Sequence, residues 1–410
     1  MPDRQTFVII GANLAGGRAA EALRKGGFDG RLVLIGADPE LPYERPPLSK
    51  EYLRGEMPKE RTFIIKPEVY EDQKIELHLG VEATRVDAKE RVVELADGER
   101  LQFDRLLLAT GGQERRLSVP GSDLEGIYYL RTLADSERIA AELQPGKRLV
   151  VIGAGFIGAE VAASARMKGL DVTVLEMADV PLAHIVGEEM GRAYAEIHRD
   201  QGVTLVTGEA LERFEGSTRV ERAVSSSGRA IDCDFVVAGV GIAPATKLAE
   251  DAGLAVDNGV VVDEYCETSV PGIFAAGDVA NFYHPVLDER LRVEHWSNAQ
   301  RQGQTAAKNM LGQREPYVEI PWFWSDQYDV NIQYVGHAKT WDNMVVRGDV
   351  AGRKYSAFYL KDGRLRATLT INRFKDISPS RQLIRQGIVV EPDKLQDEDI
   401  ELKSLITQTA

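Results

Sequence analysis

Apolar residues along this chain gather in short runs that stop at glycine, and the runs recur in a fixed order. Phe7–Ile10 is continuous and hydrophobic, and Leu149–Ile152 repeats the pattern with two adjacent valines. Runs of this length, bounded by glycine, predict strands buried on both faces of a parallel sheet. Each leads into a glycine-broken turn. After the second turn a helical period begins, with Ile157, Val161 and Ala165 spaced four apart on one apolar face. A further apolar run closes each unit, Leu32–Ile35 in the first and Val172–Leu175 in the second, so two βαβ units are predicted. Arg91–Leu95 and Leu101–Phe103 flank Asp97-Gly98, which predicts a hairpin. Phe235–Gly241 and the run from Ile273 predict two more buried strands. From about residue 315 the texture changes. An aromatic cluster, Pro321–Tyr328, precedes short strands over Ile332–Val335, Met344–Arg347, Ser356–Leu360 and Leu365–Thr370, with one late helix near Ser380–Arg385.

The turns carry the chemistry. Gly153-Ala154-Gly155-Phe156-Ile157-Gly158 is a full G-x-G-x-x-G between strand and helix. Gly153 permits the tight turn, Gly155 lets a pyrophosphate approach the backbone, and Gly158 lets helix and strand pack closely. The helix N-terminus at Phe156 and Ile157 offers N–H groups and a partial positive charge to that anion. The second strand ends on Glu176, whose carboxylate suits an adenosine ribose and repels a 2′-phosphate, so NAD is expected here and not NADP. The first unit reads Gly11-Ala12-Asn13-Leu14-Ala15-Gly16, with Asn13 in the middle glycine position and Asp38 as the ribose acid. Asn tolerates left-handed backbone, so the turn is expected to survive, with the side chain crowding the pyrophosphate. Two such units imply two dinucleotides, FAD first and NAD second. The strand from Ile273 ends in Gly277-Asp278, where a carboxylate can hold ribityl hydroxyls and a glycine lets the backbone pass close to a flavin.

Composition narrows the setting. The 410 residues carry a net charge of −14, which argues against binding nucleic acid or an anionic membrane. No stretch approaches the ~18 apolar residues of a membrane span, and Met1-Pro2-Asp3-Arg4 leads straight into a strand, so a cytoplasmic protein is expected. Cys233 and Cys266 sit in no C-x-x-C and are expected to be packing residues. No metal site is expected.

Pro42-Tyr43-Glu44-Arg45-Pro46-Pro47-Leu48-Ser49-Lys50 is too rich in proline for a helix or central strand and must be a rigid, charged loop. It resembles the loop beside the isoalloxazine ring in FAD-dependent NADH:ferredoxin reductases of oxygenase systems. The likeness extends to Ala109-Thr110-Gly111, Tyr129–Leu133, Glu294–Ala299 and Trp322–Asp326, nearly the whole chain. The resemblance implies an α/β protein with two Rossmann-like, glutathione-reductase-like dinucleotide-binding domains and a C-terminal α+β domain. Residues 1–111 and 237–314 would form a discontinuous FAD-binding domain, 112–236 the NAD-binding domain, and 315–410 the third. It also implies that Lys50 lies near flavin N5, that Arg45, Ala83, Arg131 and Trp296 contact FAD, and that Gly241 contacts NAD. Glu160 would pair with Lys50 and the nicotinamide amide, Phe156 would act as an aromatic gate, and Trp324 would cover the flavin edge.

The proline-rich loop holds no cysteine. Electrons are therefore expected to leave the flavin directly, one at a time, for an acceptor such as an iron–sulfur protein, and the resemblance implies that this is a [2Fe–2S] ferredoxin that feeds an oxygenase. Arg373, Lys375, Arg381 and Arg385, opposed locally by Asp376, form a basic patch that would orient an acidic ferredoxin. By resemblance, Lys403 belongs to the same surface. Two other readings share the architecture: a monodehydroascorbate-reductase-like enzyme and an NADH-sensing flavoprotein like apoptosis-inducing factor.

Overall fold

The computed structural model describes residues 5–407. They form two compact units. One is built from the residues up to Glu44, Lys59–Gln113 and Ala243–Pro321; the other from Arg45–Pro58, Glu114–Ile242 and Trp322 onward.

The first unit is organised on a five-stranded sheet in the order Ile273–Ala275, Arg105–Leu108, Thr6–Ile10, Arg31–Gly36 and Ile75–Leu79. Every pairing is parallel, and the four central residues of Arg31–Gly36 are buried, as the continuous apolar runs require. Helices Leu14–Lys25 and Trp296–Met310 pack on each other. They approach closely because Gly303 has no side chain: a Cβ there would stand 2.3 Å from the Ala15 carbonyl oxygen. The hairpin forms at Val92–Leu95 and Arg100–Gln102, with Gly98 at positive φ in its turn.

The second unit repeats the plan. Its parallel sheet runs Thr204–Thr207, Asp171–Glu176, Arg148–Ile152, Phe235–Ala238 and Ile127–Tyr129. The C-terminal region adds a five-stranded antiparallel sheet in the order Trp322–Gln327, Val330–Gly336, Arg364–Ile371, Lys354–Lys361 and Asn343–Asp349. The aromatic cluster is thus the edge strand of this sheet and not a prelude to it, and the late helix runs longer than expected, Ile377–Gln386.

The NAD-binding and C-terminal segments lie together because they share a core. Ala159, Val186, Met190 and Tyr194 pack in one cluster with Phe323, Ile332, Tyr359 and Leu369. Segment Arg45–Pro58, which the sequence reading put with the FAD-binding residues, belongs here as well. Its Leu53 is buried among Val151, Val161 and Val237. Burying so large a share of apolar surface is what groups these segments.

Candidate functional site

In the second unit the turn after Ile152 has the geometry its glycines predict. Gly153 has φ +95°, and a Cβ on Gly158 would lie 2.1 Å from the Gly153 carbonyl oxygen, so only glycine lets the helix Phe156–Met167 start this close to the strand. Gly155 is different: its φ is −70°, and an added Cβ would meet nothing within 4 Å. The protein itself does not need a glycine there, and the open space fits a ligand backbone approach. Glu176 receives the Ala154 N–H at 2.6 Å and the Ala178 N–H at 2.9 Å, which aims its carboxylate at the loop. Ile157 departs from expectation. Val161 and Ala165 are fully buried, whereas Ile157, on the first turn of the helix, is 46% exposed. Gly241 has φ +88° in open surroundings. These residues fit a dinucleotide.

The first unit repeats this turn with one change. Gly11 takes φ +114°, and a Cβ on Gly16 would lie 2.0 Å from the Gly11 carbonyl oxygen. Asn13 is not left-handed: φ is −117° and ψ −160°, ordinary extended backbone at a helix N-cap. The middle position never demanded left-handed backbone, so the tolerance expected of Asn is not what lets it stand here. Its Oδ1 is enclosed without a hydrogen-bond partner, which a pyrophosphate's own oxygens could not satisfy and a bound water or cofactor hydroxyl could. Leu14 and Ala15 are buried on the helix that follows. Asp38 accepts from the Tyr43 hydroxyl at 2.7 Å and the Glu40 N–H at 3.1 Å. Gly277, φ +83°, passes close to Ala15, and its N–H is held by Gln302 at 2.8 Å. Asp278 follows it. Ala83 is buried in Ala83–Asp87, and Trp296 opens its helix. The donor set fits FAD.

The charged centre of the second unit is Lys50 with Glu160. Lys50 Nζ stands 2.8 Å from Glu160 Oε2, and the two residues are only 6% and 4% exposed. The Ser49 hydroxyl donates to the same oxygen, and Ser325 Oγ donates to Oε1 at 2.6 Å. A carboxylate this deep in a helix of small residues is not a solvated surface group. The loop is held from outside: Ser136 Oγ donates to the Leu48 carbonyl at 2.8 Å, Ser164 Oγ to the Ser49 carbonyl at 2.7 Å, and Arg54 reaches Ser164 at 3.2 Å. Arg45 precedes the single turn Pro46–Ser49. Arg131 leads into a capping box in which Thr132 and Asp135 close the helix Leu133–Glu142. Phe156 is packed edge-on against Phe323 at 4.5 Å, so the expected gate residue has a protein partner already. Trp324 stacks on Trp322 at 5.3 Å.

Sequence reasoning missed Ser325, Gln327, Tyr194 and His198, all buried and linked by hydrogen bonds behind Glu160. A signal existed. Phe323, Ser325 and Gln327 alternate on the inward face of their strand, so two polar residues share a face with a core phenylalanine.

The basic patch needs one correction. Arg373 is buried, with Nε 2.7 Å from Asp376 and a second ion pair to Glu398. The acidic tail folds back to neutralise it, so it cannot meet a partner. Lys375 and Arg385 are exposed, Arg381 lies half-buried over the Trp322 ring at 5.8 Å, and Lys403 is exposed nearby in sequence. Phe374, next to Lys375 in the chain, is 71% exposed. Both cysteines are buried and unbridged; burial pushes the Cys233 thiol up to about 12. Among the described residues no helix is long and apolar enough to cross a membrane.

Residues 5–303 match the family described as pyridine nucleotide-disulphide oxidoreductase, and residues 322–406 match a reductase C-terminal region. The chain is 39% identical over 412 residues to putidaredoxin reductase of Pseudomonas putida, covering 99% of this chain and 98% of that one. It is 40% identical over 404 residues to the ferredoxin–NAD(+) reductase component of the anthranilate 1,2-dioxygenase system of Burkholderia cepacia, covering 98% and 99%. Among solved structures, the covalent putidaredoxin reductase–putidaredoxin complex aligns with a TM-score of 0.96 at 38% identity, covering 98% of both chains.

Proposed function

The chain belongs to the pyridine nucleotide-disulphide oxidoreductase family, and we propose that it is an NADH-dependent flavoprotein reductase passing electrons through FAD, one at a time, to a [2Fe–2S] ferredoxin that serves an oxygenase. The observation that carries this reading is the buried Lys50–Glu160 pair in a chain whose two cysteines are both buried and lie outside the proline-rich loop. A disulphide relay has no residues to run on, whereas a fixed ammonium is ready to face developing negative charge. FAD, when bound, supplies the chemistry that joins a two-electron donor to a one-electron acceptor.

The chain's own residues then have separable tasks. The turn at Gly153–Gly158 and Glu176 hold the NADH, and Gly11–Gly16, Asp278 and Trp296 hold the FAD. Glu160 holds Lys50 in place and offers an acceptor to the nicotinamide amide. Lys375, Arg385 and Arg381 make the electrostatic docking face for an acidic ferredoxin, with Phe374 as its apolar anchor. An exposed aromatic next in the chain to an exposed cation has the composition of an interface centre. The coenzyme pool and the two unbridged thiols fit a cytoplasmic setting.

The deciding experiment is stopped-flow mixing of NADH-reduced enzyme with a [2Fe–2S] ferredoxin and, separately, with ascorbate radical. Ferredoxin reduction in single-electron steps, at a second-order rate at least about a hundredfold above that with the radical, is expected from a docking surface. Preference for the radical would overturn the reading in favour of a monodehydroascorbate-reductase-like enzyme.

A further inference from the structure

Behind Glu160 lies a run of buried polar side chains that no step above uses. Ser325 Oγ is 2.6 Å from Glu160 Oε1, and Gln327 Nε2 is 2.9 Å from Ser325 Oγ. Gln327 Oε1 is 2.9 Å from His198 Nε2, and His198 Nδ1 is 3.2 Å from the Tyr328 hydroxyl. The end residue is unusual in itself: Tyr328 holds φ +55°, a conformation that bulky side chains avoid.

The direction of every bond follows from which atoms can donate. An ionised Glu160 only accepts, so Ser325 gives it its single hydrogen and must accept from Gln327. The Gln327 amide therefore turns its Nε2 toward Ser325 and its Oε1 toward His198. That oxygen only accepts, so His198 carries its proton on Nε2 and leaves Nδ1 bare for the Tyr328 hydroxyl. Tyr194 does not disturb the order, since its hydroxyl lies 2.7 Å from Gln327 Nε2 and 3.1 Å from Oε1 and can serve either orientation. Burial also pushes the His198 pKa down to about 4, consistent with a neutral ring holding one proton. The other charged or titratable groups set against this run are Lys50 on its loop, Tyr194 beside His198 on one helix, Arg54 through Ser164, and Arg166, whose charge acts on Tyr328.

We propose that Ser325, Gln327 and His198 are positioning residues that hold Glu160 as an acceptor facing Lys50, through a one-way chain of hydrogen bonds starting at Tyr328. Each donor is polarised by the one before it, and the chain ties the edge strand Trp322–Gln327 to the helices that carry Glu160 and His198. It rests on the hydride-transfer role proposed for Glu160, but its structural core does not.

A one-way chain has a property that ordinary packing lacks. When its acceptor end is neutralised, the whole run reverses, and the histidine two side chains beyond Ser325 changes tautomer. The experiment is ¹⁵N NMR of the FAD-loaded protein labelled at histidine, with the His198 signals identified by their loss in His198→Gln. The wild type is expected to show Nε2–H. Glu160→Gln, whose amide can donate to Ser325, is expected to convert His198 mainly to Nδ1–H, and Ser325→Ala to a mixture. Ser325→Ala should also lower the rate of flavin reduction at saturating NADH about tenfold, the scale of one lost charge-assisted hydrogen bond, with the half-saturating NADH concentration and the melting temperature little changed. Should Glu160→Gln fail to fold, the serine variant carries the test alone. An unchanged Nε2–H tautomer in whichever variants fold overturns the chain, and a normal reduction rate in Ser325→Ala overturns its positioning role. Failure of the NADH-reduced wild type to reduce a [2Fe–2S] ferredoxin, with the tautomer response intact, would instead count against the acceptor assigned above.

Discussion

A glutamate 4% exposed beside a lysine 6% exposed needs hydrogen-bond donors as well as its counter-charge to offset the loss of water. Glu160 has both, accepting from Lys50, Ser49 and Ser325, and loss of Lys50 would strand its charge. Glu160→Gln is expected to keep its volume and its FAD while slowing flavin reduction by NADH at least about tenfold in single-turnover mixing. An unchanged rate would reduce the pair to a structural ion pair. Glu176 gives a second prediction, because its carboxylate is aimed into the glycine turn by two backbone N–H groups. NADH should exceed NADPH in kcat/KM by about tenfold or more, for a repulsion of ~1–3 kcal/mol, and Glu176→Ala should narrow the gap. Equal use of both coenzymes by the wild type would remove that role. His198 makes a third, through pH. Its pKa falls from 6.5 to about 4 because burial disfavours the charged ring, so the unfolded chain binds the extra proton more readily. The stabilisation is complete above pH 6.5 and is lost as pH falls toward 4, in total about 3 kcal/mol. Unfolding free energies measured from pH 7 to 4.5 should therefore drop more steeply in the wild type than in His198→Gln. Parallel slopes would show that the ring is not buried neutral.

At the scale of the element, the two glycine-broken turns separate what folding needs from what a ligand needs. Gly158 faces the Gly153 carbonyl, and a Cβ there would be 2.1 Å away, while a Cβ on Gly155 would meet nothing within 4 Å. Gly158→Ala is therefore expected to lower the thermal midpoint by several degrees, as a strained core substitution of roughly 1–3 kcal/mol does. Gly155→Ala should leave the midpoint alone and raise the NADH concentration for half-saturation severalfold. The reverse ranking, measured by thermal melting and NADH titration, would mean that the turn does not cradle a nucleotide. The element with the least transparent pattern is the edge strand Trp322–Gln327. Its inward face mixes Phe323 with Ser325 and Gln327, and its outward Trp322 and Trp324 stack on each other, so neither face reads as purely core or purely solvent.

For the molecule as a whole, a net charge of −14 sets a field that repels acidic partners except where cations cluster. Lys375 and Arg385 are the exposed cations proposed for such a place, with exposed Phe374 next to Lys375 in the chain, while Arg373 is withdrawn into its pairs with Asp376 and Glu398. Double charge reversal, Lys375→Glu with Arg385→Glu, should lower the second-order rate with ferredoxin about tenfold or more at low salt. The gap should narrow as the Debye length shrinks to ~3 Å at 1 M. Phe374→Ala should weaken the same step at every salt concentration, since burial of an aromatic is not screened. Reduction of a small artificial acceptor should be unaffected by either change, and a ferredoxin rate that ignores both would place the docking face elsewhere.

The sequence alone was enough for the two βαβ units, their glycine turns and Glu176, because strand period, helix period and the steric needs of glycine are local properties written in consecutive residues. It also sufficed, through resemblance, to single out Lys50 and Glu160. Their burial and contact were decided by tertiary structure, since the loop and the helix that carry them are far apart in the chain and meet through the core around Leu53 and Val161 and the hydrogen bonds of Ser49 and Ser164. The same holds for Arg373, which reads as a solvated cation until the tail returns to pair with it, and for Ile157, whose place in the apolar period gives no hint that it is left exposed. Ser325, Gln327, Tyr194 and His198 are the clearest case. A polar residue in a sequence looks the same whether it faces water or another buried polar group, and only the packing of strand against helices determines which.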